Sequence, residues 1–484
     1  MKGKQVIRGV GIVVSILVFL AVLGGYIGLK SPQFHQYVLA KLIDHVQRTT
    51  GGRLEVENWE FHVSPMVVNL YGIALHGAEG PEQRPLLAAE KLTVGVSTRA
   101  LLGRKFQLTE LLVQHPVASV QVDQDGKTNI PIPPEKTSST TSSTLWDLAV
   151  AHTLLSGGEF YYNDKESRFR AELNDLRTEV RFDPAATSYN GSVSYHDGRL
   201  QYANHSPLPH NLEMQFSATP SGLAFNPLVY TVGSSRISLR GEIRNYDDPV
   251  VSAAYDAVVH TQDFAALSPK AAPAGDVRLA GKFEYANPSR QPLVKAIVVD
   301  GSLDSGALQV TTRDGRVDFR QLKAEYHVAN GNLNAPRVTA DLLNGRLSAN
   351  ASIEHLDATA VSKVHASFER LSLDAAKQSI KRAEVRQIPL TGTLNGTLDA
   401  SWASSVKNIR LVSELAVQGA LRDRTATPAS AAPIDGIAHL EYDGSRNVLQ
   451  LRQTRFEIPS ASVSADGQLS KHSNLQVQVL AGDL

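Results

Sequence analysis

From Arg53 onward the apolar side chains fall at every second position in short runs, as in Leu54-Glu55-Val56-Glu57, Leu92-Thr93-Val94-Gly95-Val96 and Val120-Gln121-Val122-Asp123. A period of two belongs to a pleated strand with one dry and one wet face. Gly, Asn, Asp and Pro separate these runs to the end of the sequence, so the predicted class is mainly β. Before Arg53 the period is helical. Phe34, Val38, Leu42 and Val46, with Leu39 and Ile43, form one apolar stripe, opened by Ser31-Pro32 as N-cap and first turn and closed by Gly51-Gly52. The polar side of this short amphipathic helix is not notably basic, so it reads as a cap on a core rather than a membrane-surface element.

Further upstream, Gly9 to Leu29 is apolar and uncharged. Its 21 residues, rising about 1.5 Å each, span roughly the 30 Å of a bilayer core. Lys2, Lys4 and Arg8 precede it and Lys30 follows, an asymmetry that keeps the N-terminus cytoplasmic and exports the rest. A cleaved signal peptide is the competing reading, but Ala21-Val22-Leu23 is a poor small-x-small cleavage site. Residues 1–30 are therefore expected to be a cytoplasmic tip and transmembrane helix.

Lys+Arg and Asp+Glu both number 48. That balance argues against nucleic acid, which selects basic faces, and against strong electrostatic capture at an anionic lipid surface. With no cysteine, a disulfide framework, a zinc knuckle and a cysteine nucleophile are all excluded. Motifs that suggest chemistry dissolve on inspection. Asp125-Gly126-Lys127-Thr128 resembles the tail of a phosphate loop, but Gln121 stands where the first glycine belongs, and a β-turn fits better. Asp123, Asp125 and Asn129 lack the terminal bidentate Glu of a calcium loop. No H-E-x-x-H or G-x-S-x-G occurs, and His35, His62, His115, His152 and His210 are scattered. Asn190-Gly191-Ser192 and Asn395-Gly396-Thr397 read as turns. The expectation is a protein that is not an enzyme and that uses no cofactor or metal.

Beyond residue 230 the sequence repeats. Ile237-Ser238-Leu239-Arg240-Gly241-Glu242-Ile243 matches Leu347-Ser348-Ala349-Asn350-Ala351-Ser352-Ile353, and Val463-Ser464-Ala465-Asp466-Gly467-Gln468-Leu469 is a third copy. Odd positions are apolar or small and even positions polar, so each copy is a strand with one dry face. Asp263-Phe264-Ala265-Ala266 corresponds to Leu373-Asp374-Ala375-Ala376, and Val277 to Gly281 to the flanks of Leu394-Asn395-Gly396. The period, about 110 residues, suits a module of several strands. The third copy stops early in its module, at Leu484, so the sequence is expected to be part of a longer, truncated chain. Between the halves, Pro131 to Thr144 has no pattern and reads as a flexible linker or loop. Leu145 to Leu155 reads as a helical start at Trp146 leading into a strand through Phe160-Tyr161-Tyr162.

The order of motifs in the first 170 residues resembles the AsmA-like superfamily, most closely its TamB (translocation and assembly module) proteins. The residues that carry it are Tyr37 to Ile43, Thr50 to Val56, Phe61, Val67 to Ile73, Leu75-His76-Gly77, Pro85 to Leu92, Leu101 to Arg104, His115-Pro116, Val120 to Val122 and Asp125 to Asn129. Pro389 to Gly396 resembles the body repeats of the same group, and the family's C-terminal domain is missing. The resemblance implies an elongated, curled, taco-like antiparallel β-sheet with an apolar groove. It implies a bacterial inner-membrane anchor with the bulk in the periplasm, phospholipid movement between inner and outer membranes, and an outer-membrane barrel partner of the Omp85 class.

The residues themselves fit such a groove. Its lining is expected from the dry face of the repeat: Ile237, Leu239, Ile243, Leu347, Ala349, Ile353, Val463, Ala465 and Leu469. Helical patterns are scarce after residue 150, so the sheet itself must curl over this face, leaving a trough for phospholipid acyl chains at about 0.8 kcal/mol per buried CH₂. The alternative is the core of a closed β-sandwich array. About 30 strands at roughly 4.8 Å would extend on the order of 140 Å. The expected organisation is an AsmA-like helix and β module over 31–130, a loop over 131–144 and a repetitive β-groove region over 145–484. Two other functions stay open: a scaffold or chaperone for assembling outer-membrane β-barrel proteins, whose strands would pair with an exposed edge, and a purely structural tether with a closed core.

Overall fold

A computed structural model describes residues 32–63, 65–80, 82–97, 108–132, 146, 149–267, 273–311, 315–422 and 431–482. The segment Gly9–Leu29, Ser31, Leu101 to Arg104 and nearly all of the 131–144 loop lie outside the described residues. Among the described residues no helix is long and apolar enough to cross a membrane.

Helix α1, Pro32–Thr50, is the predicted amphipathic helix. Val38, Leu42 and Val46, one turn apart, are buried against Leu54 and Trp59 of β1 (Arg53–Val63) and Val68, Leu70 and Leu75 of β2 (Met66–His76). Gly51, at φ +75°, ends the helix, its N–H donating to the Gln47 carbonyl at 2.9 Å. A second buried cluster joins Val94 and Val96 of β3 (Leu87–Val96) to Leu108 of β4 (Leu108–Gln114) and Val150. Both faces of β3 are covered at its end, where Thr93 donates to Asn69 Oδ1 at 2.7 Å. The alternation at 92–96 therefore does not give a wet face there.

β4 and β5 (Val117–Val122) are one strand broken at His115-Pro116, since both pair with β6 (His152–Asp164) and with β3. His115 turns at φ +45°, and β6 answers with Gly157 at φ +64°, where a Cβ would lie 2.9 Å from the His115 ring. The pairings of β4 and β5 with β6 are parallel, an exception to the antiparallel expectation. A parallel neighbour needs a crossover of a dozen or more residues, and the chain between Val122 and His152 supplies one. The strand begins at His152, so Thr153-Leu154-Leu155 is extended. Asp125 to Asn129 is the predicted turn: Asp123 Oδ1 accepts from the Asp125 and Lys127 amides, and buried Asn129 accepts from the Gln121 amide and donates to the Ser119 carbonyl, both at 2.9 Å.

From β6 an antiparallel meander continues through β7 (Phe169–Asp183), β8 (Ser188–Tyr202), β9 (Leu208–Thr219) and β10 (Gly222–Val232), followed by β11 (Ser235–Arg244). A second run comprises β12 (Val250–His260), β13 (Pro273–Tyr285), β14 (Ile297–Thr311), β15 (Arg316–Ala329), β16 (Asn332–Leu342), β17 (Gly345–Glu354) and β18 (Val361–Ser372). It goes on through β19 (Leu390–Ala403), β20 (Arg410–Arg422), β21 (Ala431–Asp443), β22 (Val448–Ile458), β23 (Ala461–Leu469) and β24 (Asn474–Ala481). The described residues form twenty-four strands assigned to one sheet. They divide into two compact units, one ending at Gly233 and taking in Ser238–Arg244, the other comprising Ser234–Ile237 and Asn245–Leu484.

The three repeat copies are β11, β17 and β23, each entered by a tight turn from the preceding strand. Those preceding strands share a further feature: each carries a bulge three residues in, at Phe225/Leu228, Ala335/Val338 and Leu451/Thr454. The bulge resets the pleat, so apolar residues move from odd to even positions along one face, as in Leu333 and Ala335, then Val338 and Ala340. The matched segments at 263–266 and 373–376 are both helical turns between strands. Asn190 and Asn395, read from sequence as turn residues, instead lie within β8 and β19. Their glycines serve close strand contact, a Cβ on Gly396 lying 2.1 Å from the Glu414 carbonyl oxygen.

Candidate functional site

In the first unit, residues from α1 and β1 to β7 surround an open apolar trough of about 710 Å³. Cross-strand register builds it. One row runs Leu54, Leu75, Leu87, Ala118, Phe160, Leu173 across β1, β2, β3, β5, β6 and β7. A second runs Leu70, Leu92, Val113, Leu155 across β2, β3, β4 and β6. Leu42, Val46 and Thr50 of α1 complete the lining, and Glu159 is its one ionisable residue.

The second unit carries a longer feature. Ala257, Leu279, Leu303, Ala324, Val338 and Ala349 are successive cross-strand partners on β12 to β17. The row continues through Ala366, Leu398, Ser413, Leu440, Leu451, Gly467 and Leu475 on β18 to β24. One polar residue interrupts it, and Ser413 turns its hydroxyl back to the Thr397 carbonyl at 2.8 Å. Most of the row is half-buried. A second layer packed on this face would remove it from water, whereas the described clusters of fully buried apolar residues lie within 38–150.

Beside the stripe, Tyr255, Gly281, Gly301 and Tyr326 form a row across β12 to β15. The two phenol rings lie over the two glycines and their hydroxyls meet at 2.6 Å. Burial and the Tyr326 hydroxyl push the Tyr255 phenol up. The opposite face is polar, with Arg278–Asp256 at 3.2 Å, His327–Asp300 at 2.6 Å and His365–Asp399 at 2.7 Å. Such exposed pairs set register more than stability. Among the described residues no three of His, Cys, Asp and Glu converge as metal ligands.

Of the nine residues expected to line a groove, Ala349 lies in the thirteen-strand stripe. Leu347 lies in the adjacent row with Ala340 and Phe368, and Ile353 pairs with Leu333. Val463, Ala465 and Leu469 sit on β23 opposite Phe456, Thr454 and Leu449. Ile237, Leu239 and Ile243 lie on β11. Eight of the nine are half-buried and Leu469 is exposed; none is fully buried. Sequence reading missed the trough and most of the stripe, because only register joins such separated positions. The parity switch at each bulge was the available signal.

In the first unit one buried titratable group stands apart. His210 is 3 % exposed, with Nδ1 2.9 Å from the Tyr195 hydroxyl and Nε2 without a partner among the described residues. Burial lowers the His210 pKa, and burial beside Tyr230 pushes the Tyr195 phenol up to about 12. No protein-family model matches the chain, and no curated protein matches it.

Proposed function

We propose that the chain is an inner-membrane-anchored periplasmic protein of envelope biogenesis that conducts phospholipid between the inner and outer membranes without a cofactor. In this reading the stripe is the floor of a groove formed by β12 to β24. The carrying observation is that cross-strand register keeps one row apolar or small at twelve of thirteen positions from β12 to β24, mostly half-buried. Acyl chains laid along that row would gain about 0.8 kcal/mol for each CH₂ withdrawn from water. The Gly9–Leu29 segment supplies the anchor, and the motif order that resembles the AsmA-like superfamily agrees. A barrel of the Omp85 class remains the proposed outer-membrane partner.

The test is phospholipid retained by the purified chain, quantified by mass spectrometry, with and without Leu303→Asp and Leu398→Asp. Each new carboxylate meets an apolar neighbourhood that desolvates it or keeps chains away. Stoichiometric lipid that falls in the double variant, with folding intact, supports the conduit. Lipid no higher than on a control periplasmic protein overturns it. A second reading is a scaffold for outer-membrane β-barrel assembly, in which strands of a nascent barrel pair with an edge of the sheet. Crosslinks from β24 to an unfolded barrel protein would favour it.

A further inference from the structure

On β12 to β15 the stripe row is Ala257, Leu279, Leu303 and Ala324. Two residues along the strands lies the row Tyr255, Gly281, Gly301 and Tyr326, and two further on the row Ala253, Phe283, Val299 and Val328. Residues two apart on a strand share a face. The glycines agree: a Cβ on Gly281 would lie 2.5 Å from the Tyr255 hydroxyl, and one on Gly301 2.6 Å from the Tyr326 hydroxyl. Both phenols therefore stand on the face of Leu279 and Leu303, between two apolar rows, and carry the only polar side-chain groups of the three rows. On the same face Ser413 turns its hydroxyl back to a backbone carbonyl. The phenol hydroxyls instead meet each other at 2.6 Å and bond to no other group among the described residues. Two hydroxyls hold two protons and spend one on the bond between them, so one O–H is left to donate. Burial and the Tyr326 hydroxyl raise the Tyr255 pKa, so that phenol keeps its proton.

We infer that Tyr255 and Tyr326 together form a register point on the groove floor, which takes an ester carbonyl of a diacyl glycerophospholipid. The inference rests on the lipid-holding reading of the stripe and adds which atom of the lipid is held, and where. A hydrocarbon chain laid across the three rows withdraws the spare O–H from water and offers no acceptor in return, which is unfavourable. An ester carbonyl at the root of the same chain restores the bond, while the chain continues over Leu279 and Leu303. A phosphate or a free carboxylate would bring its charge against the flanking apolar rows and lose hydration there. The ester carbonyl is neutral and still a good acceptor; an ether oxygen in its place is a poorer one.

The full chain carrying a benzophenone at Leu303→Cys on β14, or at Leu398→Cys on β19, is incubated with vesicles of equal phosphatidylcholine and its dialkyl ether analogue, matched in chain length. After irradiation the lipid adducts are quantified by mass spectrometry. Position 303 is expected to capture the ester lipid over the ether lipid about fivefold, the ratio that about 1 kcal/mol supplies, and position 398 near equally. That comparison needs both phenols intact and no variant of them to fold. Tyr255→Phe with Tyr326→Phe keeps both rings over the glycines and is expected to bring the ratio at 303 to near one at unchanged total crosslinking. Equal ratios at 303 and 398 with the phenols intact, or a preference at 303 that survives the double variant, overturns the register point and leaves the conduit standing; the phenols then only cover Gly281 and Gly301. No lipid adduct from either position overturns both.

Discussion

Residues 38–150 and strands β12 to β24 are built from the same alternating strands, yet they dispose of their apolar faces in opposite ways. In the first, α1 lies across β1 and β2 and takes Leu42 to 1 % exposure, while Val94 reaches 0 %. In the second, thirteen strands carry a row that is apolar or small at twelve of thirteen positions and whose members stay mostly half-buried. An amphipathic pattern therefore fixes which face is dry and leaves open what covers it. A helix covers one; for the other, acyl chains are the cover proposed here.

That contrast is sharpest in truncation. Leu42→Ala removes a side chain that α1 packs against β1 and β2 at 1 % exposure, and is expected to cost about 3 kcal/mol through lost transfer energy and the space left behind. Urea or thermal unfolding of the purified chain reads it. Gly281→Val tests the close packing within the open region. A Cβ there would lie 2.1 Å from the Asp300 carbonyl oxygen and 2.5 Å from the Tyr255 hydroxyl, so a loss of about 2 kcal/mol is expected from backbone and ring displacement. Leu398→Ala, on the stripe, should cost only about 1 kcal/mol in lipid-free protein, because the side chain is already partly in water. A loss equal to that of Leu42→Ala would mean that the stripe is a closed core.

The smallest effect expected is on pH. Burial depresses the folded-state pKa of His210 below its usual 6.5, so below about pH 6.5 the unfolded chain binds the proton more readily than the folded one. Its contribution is therefore complete above pH 6.5 and lost as pH falls from there toward the folded pKa. His210→Phe is expected to flatten the fall in melting temperature between pH 7 and pH 5. An unchanged slope would contradict this assignment.

Much of the architecture was legible in the residues. The helical stripe of α1, the strands from Arg53, the turn at Asp125 to Asn129 and the repeat at β11, β17 and β23 all follow from short-range periodicity and turn chemistry. The parallel seam of β4 and β5 with β6 did not, because parallel pairing is fixed by a long crossover rather than by local pattern. Asn190 and Asn395 misled because Asn-Gly marks a turn only when the flanking residues do not continue a ladder. The nine residues expected to line a groove lie on three strands, β11, β17 and β23. The cross-strand partners that turn a face into a stripe, and the Tyr255–Tyr326 pair, depend on contacts between residues far apart in sequence.

Because the chain has no cysteine, a single introduced thiol reports one position cleanly. Leu398 and Asp399 are neighbours on β19, so their side chains point to opposite faces, Leu398 into the stripe and Asp399 toward His365. Leu398→Cys and Asp399→Cys would each be labelled with a benzophenone, incubated with phospholipid vesicles and irradiated. Crosslinking to phospholipid from position 398 and not from 399 is the expected result. Equal crosslinking from both, or none from 398, would contradict a lipid-bearing stripe.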